Sequence, residues 1–420
     1  MERGGRGLLS VLVALTLGAA ACSSEVAGTP VTDESSKLSG LDTGNYATQP
    51  RTDVTTAAKP RDAWYQVGLT IGDRVVNPRE VAGDLSLGVK PGGSMSVIVP
   101  NDFFAGATTV FRPQQQAALN SVPLQAGFVA ALGGRSTAGT SGSGLDRVVR
   151  TAIVRYADEA TARKALDALV AASGFGTSPQ RPPVADARYV VAGNFSTGQS
   201  QVTSVAPVGN LLAIGSATVK GEDAAFALAD KALALQVAKA RTLEQPPNPS
   251  TTDGIPSVRM DVAGVMRRTI KAQGPALYPL HDTTPGFGLY TGYRTPYVQG
   301  LLDGNAEAIE NRFGIDWIGA TPVGAVSRFP DSARAEQWFQ FQSGQGGAIE
   351  DVPGVPATSA ACWKAQRYTD QGSGGQAELA DYTRCAVKVG KYGSSVTAAT
   401  AAQAKQAAAA SYSIMVRAGD

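Results

Sequence analysis

The chain has 420 residues, 43% of them hydrophobic, with 37 basic side chains against 35 acidic ones and a net charge of +2. That balance, spread along the sequence, argues against a partner such as nucleic acid, and the periodic apolar content argues against a disordered low-complexity chain. A single histidine and three cysteines leave no material for a multi-histidine metal centre.

The first segment, Met1 to Gly7, carries Arg3 and Arg6, and Leu8 to Gly18 is apolar apart from Ser10 and Thr16. Ala19-Ala20-Ala21 then precedes Cys22. Charged start, apolar run and small-residue cut are the parts of a signal peptide, here residues 1–21. The apolar run falls well short of the roughly 20 residues that a permanent span requires. A thiol immediately after the cut resembles a lipobox, so Cys22 is the expected lipidation site (diacylglyceride and palmitate). Loss of Arg3, Arg6 and Glu2 with the leader takes the net charge from +2 to +1. The alternative is a plain Ala-x-Ala cut that releases an unanchored protein. Residues 22–40, without apolar period, read as a flexible tether. No later stretch reaches 18 uncharged apolar residues, so the body is expected to be soluble and held by lipid at the extracytoplasmic face of the membrane.

The chain beyond the tether is too long for one typical core and suits two domains. The boundary falls at Glu244 to Asp253, where three prolines and a polar run succeed a helical pattern. The expected organisation is a first domain over 41–243, a linker over 244–253 and a second domain over 254–420. Within the first, Arg150 to Tyr156 reads as a strand and Asp158 to Ala172 as a helix. Ala187 to Phe195 is extended, Ser200 to Pro207 and Leu211 to Thr218 form a hairpin across Val208-Gly209-Asn210, and Glu222 to Leu243 is helical. The order recurs beyond the linker. Ala325 to Phe339 aligns with Ala152 to Leu166, keeping an Arg-aromatic strand end and an Asp (Asp158, Asp331) where a helix N-cap belongs. Val389-Gly390-Lys391 likewise matches Val208-Gly209-Asn210. The expected fold class is therefore α+β, with two related mixed-sheet domains, flanking helices and an internal duplication.

Leu41-Asp42-Thr43-Gly44-Asn45-Tyr46, with Gln49-Pro50-Arg51 after it and, more loosely, Pro78-Arg79-Glu80-Val81, resembles the start of a family of actinobacterial lipoproteins (mycobacterial and nocardial type) of unknown function. Ala47 stands where that family has proline. The resemblance implies an envelope lipoprotein with a two-part body, and it implies no activity.

Catalytic patterns are missing. His281 lies in a Pro/Thr/Gly-rich stretch, no Gly-x-Ser-x-Gly elbow occurs, and no lysine has a serine three positions before it. Gly390-Lys391 is succeeded by Tyr392 where a P-loop needs Ser or Thr, and Gly286 to Gly292 is one residue too long for the dinucleotide fingerprint. No catalytic residue, cofactor or metal ligand is assigned. Cys362 and Cys385, on neighbouring strands of the second copy, are expected to form a disulfide in an oxidising compartment. Tyr278, His281, Tyr290, Tyr293, Arg294 and Tyr297 cluster among prolines and glycines. Rigid rings with polar tips on loops suit ligand binding; the alternative is that they pack the edge of the second domain. The expected function is a non-catalytic envelope lipoprotein that binds a ligand or docks a partner. The competing classes are a carrier for a lipid or small molecule, and an envelope glycan hydrolase using scattered carboxylates.

Overall fold

Arg147–Tyr156 carries apolar residues on both parities, Val148, Val149, Ile153 and Val154, and a strand of that kind must be covered on both faces. It lies in the middle of a seven-stranded sheet. A computed structural model of the chain describes residues 38–54, 60–85, 87–88, 95–99, 111, 113–134, 146–173, 183–194, 198–244, 258–271, 291–293, 312–321, 323–344, 349–369 and 378–419. In the first domain the helices are α1 (Pro60–Gly72), α2 (Pro78–Val81), α3 (Pro113–Asn120), α4 (Glu159–Ala172) and α5 (Glu222–Ala240). The strands are β1 (Leu87–Gly88), β2 (Met95–Ile98), β3 (Leu124–Gly134), β4 (Arg147–Tyr156), β5 (Arg188–Asn194), β6 (Gln199–Val208) and β7 (Leu211–Lys220), in the order β1-β3-β4-β7-β6-β5 with β2 also on β3. One face is covered by α1, α2 and α5, whose Trp64, Ile71, Val81 and Leu233 meet Phe128, Val149, Ile153 and Ala213. The other is covered by α3 and α4, where Leu119, Leu166 and Leu169 meet Val129, Ala152, Val154 and Ile214.

The second domain repeats this plan. Its strands are β8 (Thr291–Tyr293), β9 (Trp317–Thr321), β10 (Gly324–Arg328), β11 (Ala360–Thr369), β12 (Glu378–Val389) and β13 (Tyr392–Ala398), ordered β11-β12-β13-β10-β9-β8. Taken from the other edge, β9-β10-β13-β12-β11 matches β3-β4-β7-β6-β5. Helix α6 (Ser332–Ser343) covers one face through Ala335, Trp338 and Phe339. Helix α7 (Ala401–Ala418) covers the other.

The correspondence reaches individual atoms. Asp158 and Asp331 have almost the same backbone (φ −152°, ψ 173° and φ −151°, ψ 173°), and each accepts from an amide three residues on, Thr161 at 2.7 Å and Arg334 at 2.8 Å. The two-residue turns place Gly209 and Gly390 at φ 56° and 53°, which a side chain rarely tolerates. The next turn residue then accepts from the end of the central strand, Asn210 from Tyr156 at 2.9 Å and Lys391 from Phe329 at 2.8 Å. The one difference from the expected mixed sheets is that every pairing among the described strands is antiparallel. After α4 the chain returns to the end of the sheet where β4 stopped, so β5 runs against β4 instead of with it.

One cross-strand pair is used differently in the two copies. Tyr189 faces Ser204 four residues before the first turn, and Cys362 faces Cys385 four residues before the second. In the first domain these side chains reach the covering helix: the Tyr189 hydroxyl donates to Asp230 at 2.9 Å, and Ser204 donates to the Ala229 carbonyl at 3.3 Å. In the second domain the two sulfurs are bonded, with Cα atoms 4.0 Å apart, and both cysteines are fully buried.

The organisation inferred from sequence places residues 41–54 in the first domain, whereas their side chains pack in the second core. Leu38 and Val54 are buried beside Val265, Met266 and α7, with Leu41 and Tyr46 against them. Asp42 accepts from Gln406 of α7 at 3.1 Å and from the amide of Gly44 at 3.1 Å. Gly44 sits at φ 52°, and a Cβ there would come within 2.6 Å of the Gln406 side chain, so this turn requires glycine. Arg51 is buried, bonds Asp53 through Nε and Nη2 at 3.0 and 3.1 Å, and reaches Thr269 with Nη1 at 3.4 Å. Lys271 adds a contact to Asp53 at 3.1 Å. Residues 38–54 are thus a strap over the second domain. The expected linker beyond Glu244 lies outside the described residues.

The Arg51 hydrogen bonds, with Lys271 behind them, hold the Asp53 carboxyl down at about 2. An unfolded Asp titrates near ~4. The stabilisation is therefore fully present above that value and is lost as pH falls from about 4 towards 2. Asp53→Asn is expected to lower the denaturation midpoint of the second domain at neutral pH, and the gap to wild type should close at pH ~2; a gap independent of pH would show that the carboxylate does not hold the strap. Replacing Cys362 and Cys385 together by alanine should cost the second domain roughly 3 kcal/mol and leave the first domain's unfolding transition in place, as read by denaturant titration.

Candidate functional site

Along the α4-covered face of the first sheet the residue types change abruptly. The row Val129, Ala152, Ile214, Val205 crosses four neighbouring strands and is wholly apolar. The next row on the same face holds Ala131, Arg150, Ser216 and Thr203, and the one beyond it Gly133, Val148, Thr218 and Gln201. Two steps along each strand separate such rows, which keeps the side chains on one face. All of these side chains are nonetheless buried: Thr203 and Ser216 are completely enclosed, and Arg150 keeps 8% of its surface.

Arg150 is the unusual member. Its Nη1 donates to Thr218 Oγ1 at 2.9 Å, while Nε is buried with no hydrogen-bond partner. Thr203 and Ser216 share a hydroxyl bond of 2.7 Å beside it. Burial alone pushes the guanidinium down to about 10, with no carboxylate opposing it, so the group still carries its charge at neutral pH. A desolvated charge without a counterion destabilises a fold by several kcal/mol. Two other arginines show the ordinary solution: Arg51 and Arg328 each grip a carboxylate, Asp53 and Asp316, through Nε and Nη2.

The corresponding face of the second sheet carries a guanidinium in the same region. Arg384 occupies the sheet position of Thr203, and Thr397 that of Ser216, counting back from the two turns. Arg384 Nε donates to Ser395 Oγ at 3.1 Å and its guanidinium lies 5.9 Å from the centre of the Trp363 ring. Burial lowers its pKa as well. Here, however, Nε has a partner.

Of the residues singled out from sequence, Cys362 and Cys385 are brought together as a disulfide. Thr291–Tyr293 forms β8, the edge strand of the second sheet on β9, which places Tyr293 there. Cys22, Tyr278, His281, Tyr290, Arg294 and Tyr297 lie outside the described residues. Arg150 reads in sequence as an ordinary strand residue, although an arginine inside Val-Val-Arg-Thr-Ala-Ile-Val is the anomaly that marks the site. Among the described residues no group of three or more His, Cys, Asp and Glu converges to hold a metal, and no helix is long and apolar enough to cross a membrane.

Fold and site define a two-domain α+β protein with a polar, hydroxyl-lined sheet face in each half. Residues 54–254 match the N-terminal part of DUF7373, a domain of unknown function, and residues 265–418 match its C-terminal part. The chain belongs to this family. The extracellular domain of PknH from Mycobacterium tuberculosis is similar at 14% identity with a TM-score of 0.26, over 44% of this chain and 99% of that one. No curated protein matches.

If Arg150 is kept for a reason other than stability, Arg150→Met should leave the unfolding free energy within about 1 kcal/mol of wild type or raise it, as replacement of buried charges often does. Thr218→Val, which strips the guanidinium of its bond, should instead cost about 1–3 kcal/mol. A loss above ~3 kcal/mol for Arg150→Met would make the arginine a structural element.

Proposed function

We propose that the protein is an exported lipoprotein of the cell envelope, held to the membrane by lipid on Cys22, that acts by binding a ligand or docking a partner and not by catalysis. The observation that carries the binding half is Arg150, a charge enclosed among hydroxyls on a sheet face with a donor unmet. Such an arrangement opposes stability, and groups that oppose stability are concentrated where a protein recognises something. The charged start, apolar run and Ala-Ala-Ala-Cys cut support export and anchoring, as does a disulfide in the second domain. On this reading the tether leads into the fold at Leu38, whose side chain packs in the second core. The aromatic segment from Tyr278 to Tyr297 is a second contact candidate.

Two measurements test the proposal. Intact mass of the membrane-extracted protein should show an added diacylglyceride on a chain beginning at Cys22, and Cys22→Ala should move the protein to the soluble fraction; an unmodified N-terminus overturns the anchor. For binding, the mature protein is incubated with envelope extract, repurified and measured by native mass spectrometry. A retained molecule of defined mass is expected, and chemical turnover of that molecule would place the protein among enzymes instead.

A further inference from the structure

We infer that the polar end of the first sheet's α4-covered face binds an oxyanion, a phosphate or carboxylate group gripped by Arg150 and flanked by the hydroxyls of Thr203, Ser216 and Thr218. The inference rests on the ligand-binding reading of Arg150 and names the chemistry of the ligand.

A guanidinium offers two parallel donors along its Nε and Nη2 edge, the spacing of two oxygens of a carboxylate or phosphate. Among the described residues that edge grips both oxygens of a carboxylate in Arg51 with Asp53 and in Arg328 with Asp316. In Arg150 the bond to Thr218 is made from Nη1, on the opposite side, and among the described residues no hydrogen bond is made from Nε or Nη2. The carboxylate-gripping edge is therefore left without a hydrogen bond among the described residues, while a threonine on the other side fixes the orientation of the group. Thr203 and Ser216 stand in the same cross-strand row as neutral donors. The two polar rows contain no acidic side chain, so they offer a cation no charged ligand and an anion no repulsion. Arg384 shows the contrast: its Nε is already taken by Ser395.

Phosphate and carboxylate share this chemistry, and the test separates them. The full-length protein is titrated by calorimetry with inorganic phosphate in one arm and succinate in the other, at ionic strength matched with chloride, up to the ~10 mM range. Saturable binding of at least one anion is expected, and the arm that saturates identifies the source. Arg150→Met should weaken it about tenfold or more, and Arg150→Lys, which keeps the charge but loses the fork, should also weaken it. Arg384→Met should leave it unchanged. Thr203→Val and Ser216→Ala, which leave the charge in place, provide the same reading if Arg150→Met does not fold. The proposal is overturned by the absence of saturable binding in both arms, by binding that survives Arg150→Met or both hydroxyl variants, or by an equal loss in Arg384→Met. An envelope molecule retained equally by wild type and Arg150→Met, with neither anion bound, removes the oxyanion and leaves the ligand-binding reading standing.

Discussion

A sheet with apolar side chains on both faces must be covered twice, and the rest of this architecture depends on how each domain meets that requirement. The first domain has helices enough: α1, α2 and α5 on one side, α3 and α4 on the other. Among the described residues the second has α6 on one face and α7 on the other. Leu38, Leu41, Tyr46 and Val54 pack on the α7 side together with Val265, Met266, Val352 and Val355. The strap is thus part of the second domain's core, and the first domain is inserted between the two pieces of the second.

Coverage also explains where a charged residue could be placed. Close to α4 each cross-strand row is apolar, and beyond it each row turns to hydroxyl, amide and guanidinium. A polar row on a buried face is costly unless its groups satisfy one another. Thr203 with Ser216, and Arg150 with Thr218, do so in pairs, and the remainder of the guanidinium is what sets this face apart. In the second sheet the same region is closed by Ser395 and by the Trp363 ring. Two copies of one topology have settled their polar rows differently, as they did the pair that became a disulfide in one and a tyrosine and serine bonded to a helix in the other.

Much of the repeat is legible in the sequence because it depends on local chemistry. Asp158 and Asp331 cap helices where a strand ends in front of an apolar helical period, and Gly209 and Gly390 mark turns that few other residues allow. The strap is not legible. Leu41 to Tyr46 stands next to the first domain in the chain, and nothing in its spacing reveals that Gln406, far along the sequence, supplies the partner for Asp42. The site escapes sequence reading for a related reason. Arg150 looks ordinary until its strand neighbours are known, because the absence of a carboxylate is a property of three other strands and not of its own.

The strap also sets an order of events. Residues 38–54 are synthesised before the first domain and their seat on α7 after it, so the second domain cannot close until α7 has been made. Joining such distant pieces costs little more in closure entropy than joining nearer ones, because that cost grows only with the logarithm of the loop. In time the difference is large. The first domain's contacts lie within the intervening stretch, so it can form while the strap, with four apolar side chains, is still waiting for a surface. A chain stopped before α7 would carry a finished first half and an unsealed second one.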